Sequence, residues 1–386
     1  MLTHTRLSVS SLPLIPQLLL LLCTSTEGLD CQIKWELTTD DTADDDSLCY
    51  IQEATLYGYG HQEVIDDLLT HSDRLVSAKD KVGNSLLHYA AATGREWVAE
   101  SLLEHSADVG ARNEYGTTPL HYSALHGQVD VAAVLLDHSA EVNANDYSTD
   151  TPLHWVAGGA SRGIEVAELL LNHSAEVDAK NSQFATPLHK AASTGHADIA
   201  EILLQHSAVV DARDYRGQTP LHLAAAGFAN LEVAQVLINS SADVNAADDV
   251  GTTPLQLAAI MGEVAVARLL INSSADVNAK DNDGDAALTY AAFNHHKEIE
   301  ELLIENGADP TLKREVTKDE EDKGVYLIRS QAQDDPLYNL GRTPSYSNLA
   351  PSSGNRKPVS WAHLLFIPST VLAQVVVLKI YFSFPS

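Results

Sequence analysis

Apolar and polar positions along this chain follow one phrase that restarts every 33 to 35 residues between His88 and Leu288. Full copies open on Thr-Pro-Leu-His and end that motif at His121, His154, His189 and His222. Weaker copies run Ser85-Leu86-Leu87-His88, Thr253-Pro254-Leu255-Gln256 and Asp285-Ala286-Ala287-Leu288. After the motif come a short Ala-rich run, a turn, an aliphatic run such as Val129 to Leu136, and Ala-Asp/Glu-Val-Asn/Asp-Ala. That order predicts two short antiparallel helices and a hairpin-like loop in each unit. Proline at the first helical position forfeits no hydrogen bond, because that amide has no partner inside the helix, and the Thr before it can cap. Ala90-Ala91, Ala191-Ala192, Ala224-Ala225 and Ala258-Ala259 let each first helix lie close to its neighbours, while the Leu pairs of the second helices supply apolar filling. One unit cannot bury its own apolar face, so stacking is required for stability.

The phrase closely resembles the ankyrin repeat over roughly residues 80 to 314. The resemblance implies an all-α solenoid of seven stacked helix pairs with projecting hairpin loops, and work by binding rather than by catalysis. A degenerate unit at 48–79 reads as an amino-terminal cap: Gly60, Leu68-Leu69 and His71-Ser72 are in phase with Gly94, Leu102-Leu103 and His105-Ser106, without the motif. Extra residues at 158–163 and near Gly227-Phe228-Ala229 fall in the turn between paired helices, where a longer loop disturbs little stacking.

Family units end the second helix on Asn-Gly with the glycine left-handed, and only Asn306-Gly307 does so here. Ser106, Ser139, Ser174, Ser207, Ser241 and Ser274 hold that place in the other units. A side chain there costs on the order of 1 kcal/mol, so the array is expected to be softer than one with glycine unless the turn relaxes or another contact compensates. In three units the serine completes Asn-X-Ser at Asn172, Asn239 and Asn272, which in a secreted chain are acceptors for N-linked sugar; the alternative is chance triplets multiplied by duplication.

Seventeen histidines raise the question of metal. By the resemblance, His88, His121, His154, His189 and His222 hydrogen-bond between adjacent units. His71, His105, His138, His173 and His206 stand in last helical turns, where a partly positive ring suits the helix dipole. His295-His296 is an adjacent pair whose side chains diverge on a helix, so no metal site and no cofactor are expected. No Gly-rich phosphate loop or nucleophile-and-base constellation emerges either, so an enzyme is not expected.

Residues 1–27 read as an export signal, with Arg6 before an apolar run too short for an ordinary membrane span. An acidic leader at 28–47 follows, containing Asp40-Asp41 and Asp44-Asp45-Asp46. The mature chain would keep Cys31 and Cys49, either bridged in an oxidising compartment or as two free thiols. Residues 315–360 are polar and read as a stalk, and 361–386 form a hydrophobic end. Small residues Ser352-Ser353-Gly354, a polar spacer and an apolar terminus match the order of a glycolipid-anchor signal. A single membrane span and an unusual soluble terminus are the alternatives.

Lys+Arg 24 against Asp+Glu 53 gives a net charge of -29, which argues against nucleic acid as partner. In arrays of this kind the hairpin tips and the exposed face of the first helix form a concave strip. The tips offer Glu114, Tyr115, Tyr147, Ser148, Gln183, Phe184, Tyr215 and Arg216. The first helices add Leu125, His126, Ile260, Met261 and Phe293. Aromatic and long apolar side chains dominate interface energetics, so these are the candidate contacts for a protein partner. Phe184 and Thr149 occupy tip positions usually held by glycine, so two hairpins are expected to be misshapen. The whole reads as an exported, surface-anchored, monomeric binding protein, with a secreted toxin-like or host-directed effector as the alternative.

Overall fold

The computed structural model describes residues 51–312 apart from 52–53, 56–61, 72, 160–162 and 228–229. The export signal, acidic leader, stalk and hydrophobic end, with Cys31 and Cys49, lie outside the described residues. Among the described residues sixteen α-helices follow one another, and no helix is long and apolar enough to cross a membrane. The cap contributes α1 (Gln62–His71), with α2 (Asp73–Ser77) leading into the first full unit. Seven pairs follow: α3 (Leu86–Thr93) with α4 (Glu96–Glu104), α5 (Pro119–His126) with α6 (Val129–Asp137), α7 (Pro152–Gly158) with α8 (Ile164–Asn172), and α9 (Pro187–Thr194) with α10 (Ala197–Gln205). The last three are α11 (Pro220–Ala226) with α12 (Leu231–Asn239), α13 (Pro254–Met261) with α14 (Val264–Asn272), and α15 (Ala287–Phe293) with α16 (Lys297–Glu305).

Five of the first helices begin on the motif proline, each after a threonine in extended conformation. First helices pack on the first helices of neighbouring units and second helices on second helices, so the substantial contacts are nearest-neighbour ones. The periodic apolar positions converge on the seams. Ala91, Ala192, Ala225 and Ala259 are fully buried on the first-helix side, and so are Leu102, Leu135, Leu170, Leu203, Leu237, Leu270 and Leu303 on the second. The cap shares this order: Ile51, Ala54 and Ile65 are fully buried, and Thr93 Oγ1 donates to Thr55 O across the seam at 2.7 Å.

A repeated hydrogen-bond relay joins the units. In the second unit the Thr118 amide donates to His121 Nδ1 at 3.2 Å, so that nitrogen carries no proton and His121 Nε2 donates to Asp150 O of the next hairpin at 3.0 Å. His88 reaches Thr117 O, His154 reaches Ala185 O, His189 reaches Gln218 O and His222 reaches Thr252 O, all at 3.0 to 3.1 Å. Where the motif ends on glutamine, Gln256 Oε1 accepts from Thr253 N at 2.6 Å and Nε2 donates to Asp285 O at 2.8 Å. In the last unit Thr289 Oγ1 donates to Leu312 O at 2.8 Å and closes the series. The inter-unit role implied for the motif histidines is therefore present in all five.

The second helices end without glycine by another device. Ser106, Ser139, Ser174, Ser207, Ser241 and Ser274 all take the left-handed conformation, with φ between 65 and 71°. The turn has not relaxed. Instead the amide after each serine reaches back into the last turn, as Ala107 N to Leu102 O and Ala140 N to Leu135 O, both at 2.9 Å. In four units the preceding histidine adds a bond: His105, His138, His173 and His206 donate from Nδ1 to the carbonyl four residues back at 2.8 to 3.1 Å. Each ring adds a second donor to a carbonyl that the histidine's own amide already bonds, a more specific task than a favourable dipole contact.

Burial holds the relay histidines neutral. His88, His121 and His189 are lowered from 6.5 to about 4, chiefly by desolvation, and His154 and His222 shift the same way for the same reason. At His88, His121 and His189 an unfolded chain takes up protons below about pH 6.5, whereas the folded one does not until about pH 4. Their contribution is thus fully present above pH 6.5 and is lost as pH falls through that window, by about 3 kcal/mol for each of the three largest shifts. Replacing His121 and His189 by Gln, which does the same bridging work at 256, is expected to flatten the decline in urea-unfolding stability between pH 6.5 and pH 4. An unchanged slope would contradict the assignment.

Candidate functional site: the hairpin strip

Each hairpin is pinned at its first residue. Asn113 Oδ1 accepts from the Tyr115 and Thr117 amides, Asp146 from Ser148 and Asp150, Asn181 from Gln183 and Ala185, and Asp214 from Arg216 and Gln218, all within 2.8 to 3.1 Å. These are Asx turns, which hold the loop without help from packing. The tips are also tied to one another: Tyr147 N donates to Tyr115 O, Ser182 N to Ser148 O, Tyr215 N to Gln183 O and Asp249 N to Arg216 O, each at 3.0 Å. A loop row joined in this way presents its side chains at fixed intervals.

Those side chains are conspicuously apolar. Tyr147 is 73% exposed, Tyr115 63%, Phe184 57% and Tyr215 43%, on four successive hairpins, and Val250 on the next is 62% exposed. Glu114 and Ser148 are exposed beside them, and Gln183 and Arg216 are half-buried. Arg216 lies against its neighbour, with Nε donating to Tyr215 Oη at 2.6 Å and the guanidinium 5.2 Å from the ring centre. The five first-helix candidates stand deeper than the sequence suggests. Leu125, His126, Ile260, Met261 and Phe293 are all half-buried at or near helix ends, and burial lowers the His126 pKa. The outward part of the strip is therefore the tip row.

The two hairpins without glycine keep the shape of the others, contrary to expectation. Thr149 and Phe184 take φ 58° and 56°, and their amides close the turn onto Asp146 O at 2.9 Å and Asn181 O at 2.8 Å, much as Gly116 closes onto Asn113 O at 3.0 Å. The Asx bonds hold these residues in a conformation their side chains disfavour.

Behind the tips, the residue after the last motif position turns toward a hairpin in several units. Tyr89 donates to Asp80 Oδ2 at 2.6 Å and Trp155 Nε1 to Asp146 Oδ2 at 3.1 Å, while Tyr290 donates to Asp281 Oδ2. Tyr122 joins Asn84 at 3.2 Å, and burial pushes its phenol up to about 12. The His88 and Tyr122 rings, and those of His121 and Trp155, meet edge-on at 5.5 Å. These aromatics are packing. Lys190 fills the same slot in the fourth unit, where Nζ lies 3.0 Å from Asp150 Oδ2 with both side chains largely buried, and Asn181 Nδ2 donates to Asp150 Oδ1 at 2.7 Å. Asp150 also acts on Asp146, whose pKa is raised first by burial and then by this neighbouring charge. Sequence reasoning missed the Lys190–Asp150 pair. Its only trace is a lysine in a slot otherwise aromatic or aliphatic, forty residues from its partner. Among the described residues no three His, Cys, Asp or Glu groups converge to hold a metal.

The family model for ankyrin repeats matches residues 107–181, 153–248 and 225–314, and a single-repeat model matches 82–111. The chain belongs to the ankyrin-repeat family. Such arrays are protein-interaction scaffolds and typically not enzymes. Among solved structures, the crystal structure of the human ASB11 ankyrin repeat domain is similar, with 27% sequence identity and a TM-score of 0.53, over 59% of this chain and 100% of that one. No curated protein matches the chain.

Proposed function

We propose that this ankyrin array binds a protein partner along its hairpin strip, outside the cell and as a monomer. The observation that carries the reading is the row of four exposed aromatic rings on successive, mutually bonded hairpins. Large rings with few rotatable bonds gain much contact area for little lost freedom, so they are effective anchors. The contacts run from Glu114 and Tyr115 through Tyr147, Ser148, Gln183 and Phe184 to Tyr215 and Arg216, with Leu125, His126, Ile260, Met261 and Phe293 forming the floor. A photo-crosslinking residue placed at Tyr147 is expected to give discrete protein adducts, and one at Glu165 on the exposed side of α8 is expected to give none. Equal labelling from both positions, or none from Tyr147, would remove the strip as the binding face.

Location outside the cell is supported by the sequence alone. The leading signal, the anchor-like end and the three acceptor triplets belong together in a secreted, lipid-anchored glycoprotein. Asn172, Asn239 and Asn272 are the exposed last residues of α8, α12 and α14, where sugar can be carried without disturbing the core. Intact mass spectrometry of protein from secreting cells is expected to find a start near residue 28, sugar at those three asparagines, Cys31 joined to Cys49 and an end near Ser352-Ser353-Gly354. An unprocessed, unglycosylated chain would refute export. A processed start with an intact apolar end, and free protein in the medium, would favour the secreted effector.

A further inference from the structure

We infer that Lys190 and Asp150 join covalently in the folded chain, as an amide between Nζ and the side-chain carboxyl that ties the hairpin before α7 to α9. The inference stands apart from the tip row and does not need it to be a binding face. Lys190 Nζ lies 3.0 Å from Asp150 Oδ2, with the two side chains only 8% and 13% exposed. Oδ2 is bonded to the carbon that would be attacked, so nucleophile and electrophile are held as neighbours, which gives an intramolecular reaction its advantage. Both flanks of the carboxyl are fixed. Asn181 Nδ2 donates to Asp150 Oδ1 at 2.7 Å, and the Asp150 amide donates to Asp146 Oδ1 at 2.9 Å. Nothing in the stacking calls for a charge at position 190, because the same slot holds Tyr89, Tyr122, Trp155, Leu223, Leu257 and Tyr290 in the other units. A buried ion pair is often no more stabilising than apolar residues of similar volume, since desolvation offsets the attraction. An amine set against a carboxyl in a largely dry seam is, however, what condensation requires.

The step balances without a co-reactant. One ammonium proton crosses to Oδ2, leaving a neutral amine and a neutral acid, which a low-dielectric seam holds at less cost than two charges. Nζ then bonds to Cγ, and the charge that gathers on Oδ1 falls where Asn181 Nδ2 already donates. A second proton passes from the nitrogen to Oδ2, the bond from carbon to Oδ2 breaks, and Oδ2 departs as water. Both charges vanish and nothing is oxidised or reduced. The main-chain carbonyl of Asp150 takes no part and keeps its bond from His121. The hairpin that carries Tyr147 and the helix that follows the Phe184 hairpin are then fixed to each other by a bond that unfolding does not break.

Tryptic mass spectrometry of the recombinant full chain tests this. The expected result is one joined product of residues 113–162 and 181–213, uncut after Lys190 and lighter than its two parts by one water, with fragment ions placing the bond between Asp150 and Lys190. Neither peptide holds an Asn-X-Ser triplet, so the result does not depend on export. Lys190→Arg keeps the positive charge without the primary amine and is expected to give the peptides separately. Asn181→Asp keeps the oxygen that pins its hairpin and loses the donor to Asp150. In cell-free synthesis its joined fraction is expected to build up about tenfold or more slowly than that of the unaltered chain. A chain held in urea from synthesis onward is expected not to join, because the fold supplies the juxtaposition. Cleavage after Lys190 in the folded, unaltered chain, with 113–162 recovered at its full mass, would overturn the inference. So would a joined product that forms equally in urea or survives in Lys190→Arg.

Discussion

The bond from the motif side chain to the carbonyl of the next hairpin is the constraint on which this molecule depends. Apolar burial brings the units together, but Ala and Leu surfaces are non-directional and tolerate sliding. The relay does not, because Nδ1 is committed to the amide of its own unit and Nε2 must find one carbonyl in the next. That arrangement requires a neutral ring of one tautomer, and burial supplies the neutrality. The same geometry persists when Gln256 replaces the imidazole and, in reduced form, at Thr289. The fold needs an acceptor facing back and a donor facing forward rather than histidine as such.

Register fixed at the base of each hairpin is carried to its tip. The relay accepts at the carbonyl just before each motif, and the Asx residue ties that segment to the loop's first position. Tip-to-tip amide bonds then join the loops into a row. Residues that would otherwise misshape a loop, Thr149 and Phe184, are held in place by this frame. The aromatic surface is thus a consequence of the same hydrogen bonds that stack the helices. An interface built on a preformed row loses little freedom when it binds.

Much of this was legible in the sequence. The motif proline marks the first residue of five helices, and the periodic Ala and Leu positions are the buried ones. The tip row was legible too, because it occupies a fixed offset from the motif. What escaped depends on contacts the local pattern does not encode. The left-handed serines keep their turn because the amide after each bonds back into the last helical turn, in the units without a histidine there as in those with one. Lys190 and Asp150 lie in different units, and Lys190 occupies a slot that is otherwise aromatic or aliphatic. The depth of Leu125 or Met261 depends on how closely neighbouring units approach, which periodicity alone does not set.

The central claim concerns the protonation and partners of the relay imidazoles, and nitrogen-15 NMR of the ring nitrogens reads both directly. His88, His121, His154, His189 and His222 are expected to appear as neutral rings protonated at Nε2, with that state persisting at pH 5 in His88, His121 and His189. Rings that titrate near the ordinary value of 6.5, or that carry their proton on Nδ1, would contradict the relay and the register built on it.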